Sequence, residues 1–270
     1  KRVMMPHWQN TTYISYRLLS APAPVELELR PSFHFRPHGQ LVSQPLDSYR
    51  VMQQGSRSEI AAGHEYPPLR IRLFGQHAGI TFHDESHPQR LYRVEQSRGY
   101  DSVGPLWSPG VYRFRLEPEH EAAVAISTEP WEAVEAMTPR EALATEIERR
   151  RQLLARAEIR EITPLDAQLI FAADQFIIRP QTRIADQVRA HAAGDDPRTV
   201  IAGYHWFTDW GRDTMISLEG LALATGRYRE AGSILRTFSA YVRDGLIPNM
   251  FPEGEHEAPL HGAGMWDGQE

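Results

Sequence analysis

Val111-Tyr112-Arg113-Phe114-Arg115-Leu116 alternates apolar and polar or charged side chains, the two-residue period of a strand with one buried face. Upstream, Leu69-Arg70-Ile71-Arg72-Leu73 and Val25-Glu26-Leu27-Glu28-Leu29-Arg30 repeat the pattern, and Ala123-Val124-Ala125-Ile126-Ser127 is a shorter strand downstream. Turn signals, Pro37-His38-Gly39 and Ser108-Pro109-Gly110, lie between these runs. Short strands separated by turns predict an antiparallel β-sandwich for the first half of the chain.

The period changes past Pro130. Thr138-Pro139-Arg140-Glu141 reads as a helix start, with proline in the first turn and an acidic residue placed to close a capping box. Glu141 to Ala157 is rich in Ala, Glu, Arg and Leu, all strong helix formers. Its charged run, Glu146 to Arg151, is expected to be the solvated face of a linker helix. A second helix is expected from about Leu165 to Ile178. A third should begin at or just after Asp213, acting as N-cap, and stop at Gly226. A fourth should run from Tyr228 to Val242, with Ala231, Ile234, Leu235, Phe238 and Val242 on its apolar face and Asp244-Gly245 ending it. Arg227, Arg229 and Arg236 are expected on helix surfaces. Helical hairpins with short links fit a bundle or toroid. The expected fold is α+β and multidomain: a sandwich over 1–130, a linker helix over 131–163, and a helical domain over 164–270.

The chain has 270 residues, 41% hydrophobic and 24% charged, as in an ordinary globular protein. A formal charge of −6 argues against nucleic acid as partner, since phosphate binding needs a basic face. No apolar run approaches the ~20 residues that span a bilayer, so no membrane partner is expected. No cysteine is present, which excludes disulfides and fits a reducing, cytoplasmic setting. His7, His34, His38, His64 and His83 are scattered over separate segments, and neither a metal nor a cofactor is expected. The start, Lys1-Arg2-Val3-Met4, carries no signal-peptide pattern and no initiator methionine, so a fragment is expected.

The chemistry concentrates in Tyr204 to Asp213, where Tyr204, Trp206, Phe207 and Trp210 are interleaved with Asp209, Arg212 and Asp213. A buried strand would not hold three charges in five residues, and a solvated loop would not hold four large aromatics. The mixture suits a concave sugar site, where rings stack on pyranose faces and charged groups hydrogen-bond hydroxyls. The plainer alternative is an ion pair of Arg212 with Asp209 or Asp213 that fixes a loop under aromatic packing. Gly211 is expected to allow a sharp turn.

The run Gly203-Tyr204-His205-Trp206-Phe207-Thr208-Asp209-Trp210-Gly211-Arg212-Asp213-Thr214-Met215-Ile216-Ser217-Leu218 resembles the signature of glycogen debranching enzymes, the amylo-α-1,6-glucosidase family. The resemblance extends through Thr225-Gly226-Arg227-Tyr228 and Gly245-Leu246-Ile247-Pro248-Asn249, and upstream through Met4 to Ile14 and Arg36-Pro37-His38. It implies a β-sandwich followed by an (α/α)6 toroid, of which this chain holds the first hairpins and so an incomplete part. It implies glycogen or a branched α-glucan as partner. Arg212 and Asp213 would hydrogen-bond a terminal glucose, Trp206 and Trp210 would shape or stack on it, and Asp209 would orient Arg212. Hydrolysis in the family is inverting, using a carboxylic acid and a carboxylate ~6.5–9.5 Å apart. A glucoamylase-like or trehalase-like toroid enzyme and a non-catalytic glucan-binding module are the alternatives.

The sequence departs from the family pattern after Pro259. Gly264 stands where the general acid, an aspartate, is expected, and the neighbours of Asp267 do not match, so no catalytic residue is assigned. Glu253, Glu255 and Glu257 alternate on a Pro/Gly-flanked loop and are expected to face solvent.

Overall fold

A computed structural model describes residues 1–37, 39–180, 183–205 and 208–250. The chain divides into two compact units, Lys1–Glu146 and Ile147–Glu270.

Among the described residues, the first unit is built on nine strands: β1 (Arg2–Met4), β2 (Thr11–Arg17), β3 (Val25–Leu29), β4 (Tyr49–Gln54), β5 (Arg57–Ala62), β6 (Leu69–Phe74), β7 (Gln76–Leu91), β8 (Val103–Leu116) and β9 (Glu121–Ser127). They form a six-stranded sheet, β1-β2-β9-β6-β5-β4, and a three-stranded one, β3-β8-β7, with every pairing antiparallel. Ile60, Ile71, Leu73 and Val124 from the larger sheet share one core with Trp107, Tyr112, Phe114 and Leu116 from the smaller. The alternating side chains of β6 and β8 thus send their apolar members to a common layer, as their period requires.

The opposite face of the larger sheet is covered as well. Tyr13 and Ala125 pack there with Val134 and Ala142, which come from the short helix α2 (Trp131–Val134) and the first turns of α3 (Pro139–Arg156). β9 is therefore buried on both sides, which explains why its sequence is a continuous apolar run rather than an alternation. Helix α1 (Arg93–Ser97) connects β7 to β8.

Ser108-Pro109-Gly110 is not a turn but the middle of β8. Between the pairs Phe82–Gly110 and Glu85–Ser108, two residues of β7, His83 and Asp84, face the single residue Pro109 of β8. Pro109 lacks an N–H and so sits opposite this bulge, where no ladder bond is lost. Gly110, at φ 131°, lies so close to the Thr81 carbonyl oxygen that a Cβ would fall 2.1 Å from it.

The second unit contains α4 (Pro164–Phe176), α5 (Ile184–Ala192), α6 (Gly211–Leu218), α7 (Tyr228–Ser239) and the short strands β10 (Ile177–Ile178) and β11 (Thr199–Val200). Ile177, Val200, Leu218, Ala222, Ala231, Ile234 and Phe238 form its main core. α3 and α4 start alike: Thr138 and Thr163 each exchange hydrogen bonds with the acidic residue three positions on, Glu141 and Asp166. α4 ends at Phe176 rather than Ile178, because Ile177 and Ile178 pair in extended form with Val200 and Thr199. α7 ends at Ser239; of its expected apolar face, Ala231, Ile234 and Phe238 are buried while Leu235 and Val242 remain exposed.

Two expectations about charge are corrected. Arg227 is not on a surface but 5% exposed, donating to buried Asp174 at 2.8 Å. Arg149, from the charged run of α3, reaches the other oxygen of that carboxylate at 2.7 Å, so this part of the run faces a partner rather than solvent. One buried anion held by two guanidiniums satisfies the rule that interior charge must be paired. Among the described residues, no helix is long and apolar enough to cross a membrane.

Candidate functional site

The Tyr204–Asp213 segment begins as the return of a narrow loop. β10 and β11 pair antiparallel, and just past β11 the chain pairs with a different segment, through an isolated bridge between Ile201 and Asp209 and a bond from the Ala202 N–H to the Thr208 carbonyl at 3.0 Å. Gly203, at φ 51°, starts the loop tip. Tyr204 is half-exposed, with its ring 5.4 Å from that of Phe176. Trp206 and Phe207 lie outside the described residues.

Asp209 is turned inward. It is 3% exposed, and its Oδ2 accepts from the Thr199 hydroxyl and from the Arg183 guanidinium, each at 2.7 Å. Its Oδ1 accepts from the Thr208 hydroxyl at 3.0 Å. A carboxylate holding three donors in the interior is committed to shaping its own loop. The sequence around Arg183 and Thr199 carries no mark of this role; no pattern distinguishes Arg183 from the other arginines of the chain.

Trp210 is the residue flanking the start of α6, in extended conformation (φ −121°, ψ 133°), and it bridges to Met250. The helix thus begins two residues earlier than expected. Asp213 is not its N-cap but an exposed residue in its first turn. A carboxylate in this position still interacts favourably with the helix dipole. Among the described residues, no hydrogen bond or ion pair engages that carboxylate.

Gly211 has helical, not left-handed, backbone, so it is required for a reason other than a sharp turn. An added Cβ would meet the Pro248 carbonyl oxygen at 2.2 Å. The Gly211 N–H donates to the Asn249 carbonyl at 2.8 Å, and the Arg212 N–H to the Asn249 side-chain oxygen at 3.2 Å. Asn249 therefore satisfies two N–H groups that the first turn of a helix leaves without intrahelical partners. The side chain of Arg212 is exposed.

The Pro248-Asn249 segment reaches α6 through a tight hairpin. Asp244 and Gly245, both at positive φ, form a two-residue turn between Arg243 and Leu246, whose backbones exchange both hydrogen bonds. Asp-Gly is the preferred pair for such a turn. The structure thus brings together two distant runs: half-buried Trp210 with exposed Arg212 and Asp213 on one side, and Pro248-Asn249-Met250 on the other. One exposed cation and one exposed anion stand adjacent on the first turn of α6, closely following half-buried Trp210 in the chain, and such groups can hydrogen-bond a neutral polar ligand.

Around the site, Asp186 of α5 is buried and accepts from Tyr241 at 2.5 Å. Burial, reinforced by that bond to a carboxylate, pushes the Tyr241 hydroxyl up to about 12. The positions of Glu253, Glu255, Glu257, Gly264 and Asp267, like His38, lie outside the described residues. Among the described residues, no cluster of three or more His, Asp or Glu is placed to hold a metal ion.

Comparison with known proteins draws on both units. Residues 1–123 match the family model described as glycogen debranching enzyme N terminal, and residues 171–264 match that described as amylo-alpha-1,6-glucosidase. A stretch of 47 residues, 17% of this chain, is 45% identical to glycogen debranching enzyme of Saccharomyces cerevisiae. The match spans 3% of the yeast protein's length. No solved structure matches.

Proposed function

Because this chain belongs to the glycogen debranching enzyme family, we propose that it serves the hydrolysis of α-1,6-linked glucose branches in glycogen or a related α-glucan, and that its own described residues hold the terminal glucose. The observation that carries this reading is the exposed Arg212–Asp213 pair on the first turn of α6, beside Trp210 and pinned from behind by Asn249. Guanidinium and carboxylate groups bind vicinal hydroxyls as donor and acceptor, and the indole offers a stacking face. Trp206 is assigned to the same subsite by its place in the motif.

In this proposal α4 to α7 are the first hairpins of an (α/α)6 toroid, the sandwich domain covers 1–130, the linker helix 131–163 and the helical domain 164–270. Bond cleavage follows an inverting two-carboxylate course. Asp209 is excluded from it by its three internal donors. Asp213, at a helix N-terminus, is suited to accept hydroxyl protons rather than to donate one. The enzyme is assigned to the cytoplasm.

The second reading, a module that binds glucan without cleaving it, is favoured by the same fact: the carboxylate that the described motif leaves open is placed for holding. Two measurements decide. Asp213→Ala is expected to weaken glycogen binding roughly tenfold or more, the usual loss for a hydrogen bond to a charged group. Trp210→Ala should weaken it as well. If both variants bind glycogen like the parent, the sugar-site reading is wrong. Glucose released from phosphorylase limit dextrin, with little from trehalose or linear maltose, selects debranching; binding without release selects the module.

A further inference from the structure

Arg183 stands outside every motif quoted above, yet it occupies the centre of a buried chain of charge that ends at the site. Its side chain is 10% exposed. Nη2 donates to Asp209 Oδ2 at 2.7 Å, and Nε lies 3.4 Å from Asp186 Oδ2. Asp186 in turn accepts from the Tyr241 hydroxyl, just beyond α7, and is approached by Arg189 at 3.4 Å from the solvent side. Tyr241, Asp186, Arg183 and Asp209 thus form a continuous series from the end of α7, through α5, to the residue before Trp210.

The bonding geometry gives this series a direction of action. Asp209 is fixed on both sides, by its backbone bridge to Ile201 and by its carboxylate. The next residue, Trp210, sets the entry angle of α6, and Arg212 and Asp213 follow within its first turn. The Asn249 amide pins the far side of that turn. Arg183 touches neither Arg212 nor Asp213 through any of these bonds, so its influence on them passes through Asp209.

We propose that Arg183 is a positioning residue for the sugar-holding turn: its planar guanidinium spans two buried carboxylates and fixes the orientation from which Trp210, Arg212 and Asp213 meet a glucan. The proposal rests on the sugar-holding reading of those three residues. Lysine cannot replace it, because an ammonium on a flexible stem does not offer a fork that reaches both carboxylates. A displacement of about 1 Å in a binding constellation is enough for losses on the order of a hundredfold, so a small reorientation of Asp209 is measurable.

The test uses the whole chain and two readouts. Glycogen binding is compared for Arg183→Lys, Asp213→Ala and the double variant Arg183→Met with Asp209→Asn, in which Asp209 is not left as a buried charge while Asp186 keeps Arg189 and Tyr241. The indole N–H resonance of Trp210, assigned by its loss in Trp210→Phe, reports the turn directly. A role limited to stability would lower the melting temperature of Arg183→Lys but leave that resonance and the affinity of the folded protein unchanged. The expected result is at least roughly fivefold weaker glycogen binding for Arg183→Lys and for the double variant, with the Trp210 resonance shifted and those of Trp107 and Trp131 unmoved. Asp213→Ala losing affinity while both Arg183 variants keep it, with Trp210 unmoved, overturns the positioning role alone. Parent-like binding in all three variants overturns the sugar-site reading, and the positioning role with it.

Discussion

A methyl group on Gly211 would sit 2.2 Å from the Pro248 carbonyl oxygen, with backbone on both sides of the clash. Gly211→Ala is therefore expected to destabilise the second unit by about 1–3 kcal/mol, the usual cost of forcing extra atoms into a packed site. The measurement is the chemical-denaturation midpoint; a midpoint equal to the parent's would show that the two segments do not approach so closely. The need for glycine here was legible in the sequence, but its cause was not. A lone glycine reads as conformational freedom, whereas the reason is a carbonyl from a segment that contacts the turn across 37 residues, as the Arg212–Asn249 bond shows. Arg227 teaches the same lesson. Its helical flanks read as surface, yet Asp174, 53 residues away, draws it inside. The composition of Trp210 to Asp213 pointed to the site, while Arg183 and Thr199, which hold Asp209, carry no local signature. Trp206 lies outside the described residues.

The start of α3 was legible, because a cap is a local exchange among four residues, whereas that of α6, expected with Asp213 as N-cap, was not. Thr138-Pro139-Arg140-Glu141 and Thr163-Pro164-Leu165-Asp166 adopt the same arrangement, the proline supplying a fixed φ where no N–H is needed. Thr163→Ala should cost about 1 kcal/mol, read by thermal or chemical unfolding. The effect has a definite pH dependence. The Thr163 side chain, then its backbone, holds the Asp166 carboxyl below its ordinary value in the folded state. A folded pKa below the unfolded one stabilises fully above the unfolded value of about 4 and is lost as pH falls through the folded value. The gap between parent and Thr163→Ala at pH 7 is therefore expected to narrow at pH 3; an unchanged gap would assign the cap to backbone effects alone. β3, β6 and β8 were readable because apolar and charged or polar residues alternate along them, whereas β5, which buries one face with Ser58, Ile60 and Ala62, shows no such contrast in sequence. β7 was missed: most of its length is exposed on both faces, so no apolar period marks it. Ser108-Pro109-Gly110 looked like a turn because a bulge on the partner strand, invisible from β8 itself, makes proline acceptable there.

For the whole molecule, a net charge of −6 and a neutral polymer as proposed ligand lead to a prediction about salt. Glycogen binding should change by less than about twofold between 50 and 200 mM salt, whereas a protein contacting several phosphates loses roughly a thousandfold or more over that range. A steep salt dependence would point away from the neutral-glucan reading. The broad architecture, antiparallel sheet followed by helices, was legible from the change of period near Pro130. The pairing order of the strands was not, since alternation specifies which side of a strand is buried but not which neighbour it meets. That order has a consequence during synthesis. In the larger sheet β2 lies between β1 and β9, and Thr11 meets Ser127 across 116 residues. A ribosome adding about 5–20 residues per second needs on the order of ten seconds to make that stretch. For that interval the nascent chain carries β1 and β2 with an open edge, and the larger sheet can close only when translation has delivered β9.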